Sequence, residues 1–259
     1  MVLEVVDLSV RYKGKKDHAL KKVNFELEEK EILGIVGESG SGKTTLAFSI
    51  LNLLPLDAKK KGKIIFEKKD IFSLKEKELE VLRGNKIGLI FQEPASSFNP
   101  VLSIGYQFEE ILKEKLNIKD RNKRREIIFD AFKKVKLSDV ERIIKSYPHT
   151  LSGGQLQRIA ISMVISLKPK ILIADEPTSS LDVTIESQIM HLFKELKEKL
   201  NLTVIFITHN LDLVKFLCDR VLVIYQGEVI EEREKEDIFR YPQHPYTQKL
   251  IETFKGLGE

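Results

Sequence analysis

The chain has 259 residues, 42% hydrophobic and 32% charged, a balance that supports one large folded core and argues against a disordered chain. Lysine and arginine number 43 against 39 aspartate and glutamate, and a net charge of +4 points to a solvated lysine-rich exterior before it points to nucleic acid or an anionic membrane. One cysteine, Cys218, excludes an intrachain disulfide, and no apolar run approaches the roughly 18 residues that span a bilayer.

The N-terminal stretch MVLEVVDLSVRYKGKK lacks the charged-then-apolar pattern of a signal peptide, so work at a membrane is expected to depend on another chain. Residues 1–30, with KGKIIFEKKDI at Lys61–Ile71, alternate in the manner of antiparallel strands. EILGIVG is the first of several short apolar runs without polar alternation, which read as buried parallel strands. The others are KIGLIFQ, ILIADE, TVIFITH and VLVIYQG. After the first comes GESGSGKTT, Gly37–Thr45, and then an apolar helix pattern, TTLAFSILNLL, closed by Pro55.

Residues of about 94–150 hold no buried-strand run and read as an inserted helical subdomain. Its basic stretch KDRNKRR, Lys119–Arg125, reads as a solvated helix face, because no aromatic residues interleave as they would for single-stranded nucleic acid. Downstream, LSGGQ at Leu151–Gln155 is a glycine turn opening a helix. In Thr184–Leu200 the residues Ile185, Ile189, Leu192, Phe193, Leu196 and Leu200 form one helical stripe. Cys218, in FLCDR, reads as a buried helical thiol. By local physics the closing PQHPYT is only a proline-rich turn before a short helix. Strands alternating with helices give an α/β fold with helices on both faces of a sheet.

Three features carry chemistry. GESGSGKT satisfies G-x-x-x-x-G-K-[ST] between a strand and a helix, the context that motif needs. Gly37, Gly40 and Gly42 let the backbone of Glu38, Ser39 and Ser41 curl its N–H groups toward phosphates. Lys43 adds a point charge, and the Thr44 hydroxyl can reach Mg²⁺. Asp175 and Glu176 end a buried strand, where Asp175 suits Mg²⁺ and Glu176 suits activation of an attacking water. Gln92 and His209 close two further strands, at positions where an amide could meet metal or water and an imidazole the γ-phosphate.

In this order and spacing, Gly37–Thr44, Gln92, Leu151–Gln155, Asp175–Glu176, SSLD at Ser179–Asp182 and His209 resemble an ABC-type ATPase over nearly the whole chain. LSGGQ directly before LQRIAISMVIS is the most specific part. The resemblance implies a P-loop NTPase (RecA-like) core with an N-terminal antiparallel β subdomain and the inserted helical subdomain. That is a single domain over 1–259, with a short C-terminal extension over about 240–259. It implies ATP and Mg²⁺, with Thr44, Gln92 and Asp175 at the metal and Glu176, Gln92 and His209 in catalysis. Tyr12 matches the aromatic that stacks on adenine, beside Gly37 to Thr45 at the phosphates.

The family pairs two such chains head to tail, which implies that Ser152, Gly153, Gly154 and Gln155 close over the nucleotide of the opposite copy and that Asp182 reads that copy. A helix N-terminus suits a γ-phosphate without a lysine of its own. FQEPASSFNP, DEPTSSLDVTIESQIM and YPQHPYTQKLIE are similar to the oligopeptide, dipeptide and nickel importer ATPases. This implies uptake of peptides through a separate integral-membrane permease, fed indirectly by an extracytoplasmic solute-binding protein. The chain would sit peripherally on the cytoplasmic face of the membrane, in a homo- or heterodimer. The alternatives are nickel or oligosaccharide uptake, or a soluble ABC ATPase outside transport; no nucleic-acid partner is expected. Two departures stand out. The cysteine-rich tail of many members is missing before Glu259, so no iron–sulfur cluster is expected in this chain, and Asn210 stands where these importers usually carry Asp.

Overall fold

A computed structural model describes residues 1–256. In chain order the elements are strands β1 (Leu3–Arg11), β2 (Leu20–Leu27) and β3 (Ile32–Val36), helix α1 (Lys43–Ile50), strands β4 (Lys59–Phe66) and β5 (Lys69–Asp70) and helix α2 (Glu76–Val81). Strand β6 (Ile87–Ile90) precedes helices α3 (Ile104–Leu116), α4 (Arg121–Lys134), α5 (Val140–Lys145) and α6 (Gly153–Ser166), then strand β7 (Ile171–Asp175) and helix α7 (Val183–Leu200). The chain closes with β8 (Thr203–Ile207), α8 (Leu211–Leu217), β9 (Arg220–Tyr225), β10 (Glu228–Glu234), α9 (Lys235–Arg240) and α10 (Pro245–Gly256). They form two compact units, Met1–Leu79 with Leu202–Glu259, and Glu80–Asn201.

The first unit contains an antiparallel sheet in the order β2-β1-β4-β5. Alternation in β1 changes phase, with Leu3 and Val5 buried and then Leu8 and Val10. A bulge causes the slip: Asp7 takes a φ of 48° where the pairing with both neighbours shifts. The same unit places β3 between β8 and β9, parallel to both, with β10 antiparallel on β9. Every residue of β3 and β8 is buried, as the unbroken apolar runs require.

Helix α1 ends at Ile50, four residues short of the Leu54 expected from hydrophobic pattern. Asn52 takes a φ of 50°, its N–H bonds Ser49 O at 3.0 Å, and Leu53 N–H bonds Phe48 O at 2.8 Å. This pair of bonds is a Schellman close, and asparagine tolerates the left-handed backbone it needs.

In the second unit β6 and β7 pair in parallel, Ile87 opposite Ile171. Helices α3 to α5 share an apolar centre that includes Phe108 and Phe132, rings 5.7 Å apart, with Ile104, Leu112, Ile128 and Ile143 also buried. Ser103 and Asp120 cap α3 and α4 through their side chains. The basic stretch is not wholly a solvated face. Arg124 donates to Ile118 O at 3.0 Å, to Lys119 O at 2.7 Å and to Glu109 Oε2 at 3.0 Å, tying α4 to α3. The α7 stripe buries Ile189, Leu192, Phe193 and Leu196, and leaves Ile185 and Leu200 half-buried at its ends. Among the described residues no helix is long and apolar enough to cross a membrane.

Candidate active site

The loop after β3 is shaped by two glycines. A Cβ on Gly37 would lie 2.1 Å from the carbonyl oxygen of Ile224 in β9, so only hydrogen fits there. Gly42 takes a φ of 112° as the residue that enters α1, and a Cβ there would meet Ala19 O at 2.5 Å. Ser41 N–H donates to Glu38 O at 3.2 Å and Gly227 N–H to Ser41 O at 3.0 Å, which ties the loop to the β9–β10 turn. Lys43 is 6% exposed, and its Nζ donates to Gly37 O at 2.8 Å and Glu38 O at 2.9 Å.

Three observations fit this loop to a phosphate chain. The buried Ser41 Oγ has no hydrogen-bond partner. Helix α1 starts without a side-chain cap and without an acidic residue in its first turn, so its positive end is not neutralised by its own side chains. The Lys43 ammonium donates to two carbonyls of the same loop, which hold its charge at the loop's centre, where an anion can meet it. Ser39, Gly40 and Thr44 are exposed on the loop and first turn. Tyr12, just past β1, places its hydroxyl 3.2 Å from Thr45 Oγ1. The first unit also carries His209, exposed between β8 and α8.

At that junction Asn210 caps α8, its Oδ1 accepting from Asp212 N–H at 2.9 Å, while Thr208 Oγ1 accepts the Asn210 N–H at 3.0 Å. An aspartate would cap through the same oxygen. The departure from the importer pattern therefore leaves the turn that carries His209 intact.

The second unit holds the remaining candidates. Asp175 is the buried last residue of β7. Glu176 follows with a φ of 46°, a left-handed backbone of the kind that concentrates at functional sites. Gln92 does not close a strand: β6 stops at Ile90, and Gln92 is exposed in the bend beyond it. Strand hydrophobicity ran on through the exposed Phe91, which is why sequence placed the end two residues late.

In LSGGQ, Ser152 Oγ accepts the Gln155 N–H at 3.3 Å, and Gln155 Oε1 accepts the Ser152 N–H at 3.1 Å. This reciprocal capping box leaves the N–H groups of Gly153 and Gly154 at the open end of α6, and the Ser152 hydroxyl keeps its proton to donate. A Cβ on Gly154 would sit 2.7 Å from Ile185 Cγ2, so that glycine sets how closely α6 approaches α7. Asp182 accepts the Ile185 N–H at 3.0 Å as the cap of α7. Sequence reading missed both caps, although S-x-x-Q before an apolar run is the signature of the first and an aspartate before a helical stripe that of the second. It also missed Tyr246, whose hydroxyl meets the Glu38 amide in the first unit; no local signal could have shown that. Among the described residues no three His, Cys, Asp or Glu side chains converge on a metal cluster, so a cation here would be completed by hydroxyl and phosphate oxygens.

Comparison with known proteins matches the ABC transporter family model over residues 20–179. The oligopeptide transport ATP-binding protein OppD of Bacillus subtilis (strain 168) is 42% identical over 99% of this chain and 72% of its own length. The dipeptide transport ATP-binding protein DppD of Haemophilus influenzae is 40% identical over 100% of the chain and 79% of its own length. Among solved structures, the dimeric ATP-binding cassette MJ0796 in a post-hydrolysis state with ADP and Pi superposes with a TM-score of 0.79 at 30% identity, over 90% of this chain and 98% of that one. CbiO1 of Clostridium perfringens, part of the ABC transporter complex cbiONQ, gives 0.80 at 30% identity, over 99% and 97%. The family model spans both the phosphate loop and the LSGGQ turn, and the chain belongs to the ABC transporter family as an ATP-binding cassette.

Proposed function

We propose that this cassette binds and hydrolyses Mg·ATP as the motor subunit of a peptide importer. One observation carries the nucleotide reading: a buried Lys43 ammonium held on the carbonyls of its own loop, beside an unpartnered Ser41 hydroxyl and an uncapped helix end. The peptide reading is supported by relatives at about 40% identity that are named for oligopeptide and dipeptide transport.

The roles follow from residue chemistry. Lys43 and the N–H groups of the loop bind the β- and γ-phosphates, and Tyr12 stacks on adenine. Thr44, Asp175 and Gln92 would hold Mg²⁺, which when bound offsets charge on the phosphates. Glu176 accepts the proton of the attacking water, and His209 contacts the γ-phosphate. Ser152, Gly153, Gly154 and Gln155 of one chain cover the nucleotide of a second cassette, and Asp182 reads that neighbour. The helical segment of about 94–150 transmits this closure to an integral-membrane permease, served in turn by an extracytoplasmic solute-binding protein. The chain then works peripherally at the cytoplasmic membrane face, with the C-terminal segment from about 240 as an extension of the same domain.

The test is the solution mass of Glu176→Gln by light scattering. With Mg·ATP the variant binds nucleotide, hydrolyses it too slowly to reopen, and its mass doubles; Lys43→Ala stays monomeric. A Glu176→Gln protein that binds ATP and remains monomeric at high concentration rejects pairing with a second copy and directs the search to a different cassette.

A further inference from the structure

The hydroxyl of Tyr246, at the start of α10, accepts the backbone N–H of Glu38 at 3.2 Å across 208 residues of sequence. The segment that delivers it is tightly held. Glu231, on β10 and 8% exposed, accepts the N–H groups of Gln243 at 2.9 Å and His244 at 3.0 Å. His244 Nδ1 accepts the Tyr246 N–H at 3.1 Å. The Tyr246 ring lies against that of Tyr225, at the end of β9, with centroids 4.1 Å apart and planes tilted by 32°. What reads locally as a proline-rich turn is a strut from β10 to the phosphate loop.

The peptide it touches is the one that seats the lysine. The Gly37–Glu38 unit offers its carbonyl to Lys43 Nζ at 2.8 Å and its N–H to Tyr246 at 3.2 Å. In a trans peptide these groups point to opposite sides of one rigid plane, so the plane is clamped at both edges and cannot turn without losing both bonds. Burial raises the Tyr246 hydroxyl above its ordinary titration range, so it stays protonated and neutral at physiological pH.

We propose that Tyr246 is a positioning residue for nucleotide binding: its hydroxyl fixes the Gly37–Glu38 peptide, and through that peptide the Lys43 ammonium and the course of the phosphate loop. The proposal rests on the loop being the ATP site. Its physical effect is preorganisation, an ordering cost met by the C-terminal segment before nucleotide arrives.

The experiment compares wild type with Tyr246→Phe, which deletes one oxygen and keeps the ring on Tyr225. Titration with Mg²⁺ and a fluorescent ATP analogue gives Kd, steady-state hydrolysis gives KM and kcat, and thermal unfolding gives Tm. Loss of one hydrogen bond predicts a Kd and KM raised about three- to tenfold, with kcat within about twofold and Tm within a few degrees. A Tyr246→Phe protein with wild-type Kd overturns the proposal. So does one that loses kcat at unchanged KM, or melts more than about 10 °C lower, because each marks a merely structural contact. Wild type failing to bind Mg·ATP would instead remove the nucleotide reading itself, an outcome distinct from the other three.

Discussion

The hydroxyls of Tyr12 and Thr45 lie 3.2 Å apart, joining the end of the first strand to the first turn of the helix that follows the phosphate loop. The contact sets the aromatic ring beside the loop by a bond that the ring itself does not need. Tyr12→Phe should therefore keep most nucleotide affinity, while Tyr12→Ala should lose about 1–3 kcal/mol, the usual worth of an aromatic stacked on a base. Parallel ATP titrations of the two variants check this, and equal losses would reject stacking.

Gly37 and Gly40 share a loop but differ in what surrounds them. A methyl at Gly37 would meet the Ile224 carbonyl at 2.1 Å, a backbone atom within a sheet, whereas nothing lies within 4 Å of one at Gly40. Gly37→Ala should abolish nucleotide binding and destabilise the fold by about 1–3 kcal/mol through overpacking. Gly40→Ala should cost only the strain of its φ of 81°, about 1–2 kcal/mol. Urea unfolding of both variants distinguishes the two mechanisms.

The close approach of Gly154 to Ile185 predicts a coupled pair in the second unit. Gly154→Ala alone should destabilise by about 1–3 kcal/mol, because the added methyl forces α6 from α7. In an Ile185→Ala background, where the obstructing methyl is gone, the same change should be nearly neutral. Additive unfolding energies in a double-mutant cycle would reject the steric account.

Glu231 gives a pH dependence. Burial pushes its pKa up, but the N–H groups of His244 and Gln243 outweigh that, and the net shift is below the ordinary carboxylate range. A carboxyl depressed in the folded state adds stability that is present above its unfolded pKa and lost as pH falls through the folded value. Wild type should thus lose melting temperature steeply below about pH 4. Glu231→Gln should be less stable at pH 7, by about 1.5–3 kcal/mol for hydrogen bonds to a charge, and should show a flatter acid limb. Melting curves from pH 7 to pH 3 for both proteins test it; parallel curves would reject the assignment.

Most of the fold is legible because its signals are local. The buried runs of β3, β7 and β8 and the loop from Gly37 to Thr45 are continuous in sequence, so pattern alone finds them. The stop of α1 at Asn52 was missed because the apolar residues beyond it, Leu53 and Leu54, prolong the hydrophobic pattern past the real helix end. The bulges at Asp7 and Lys22 were missed because neither is glycine, and their positive φ is set by pairing between strands. Caps at Ser152 and Asp182 were readable in principle. The meeting of Tyr246 with Glu38 was not, since it depends on how β9 and β10 carry the C-terminal segment back to the loop.

The place of β3 between β8 and β9 also sets an order of events during synthesis. Residues 80–201 are one uninterrupted stretch, all of it synthesised before β8. The strand bearing the phosphate loop cannot be paired on either side by then, because its two neighbours are residues 203–207 and 220–225, and the tyrosine that clamps the loop comes later still. A nascent chain stalled before β9 carries the whole loop sequence with a half-built sheet under it.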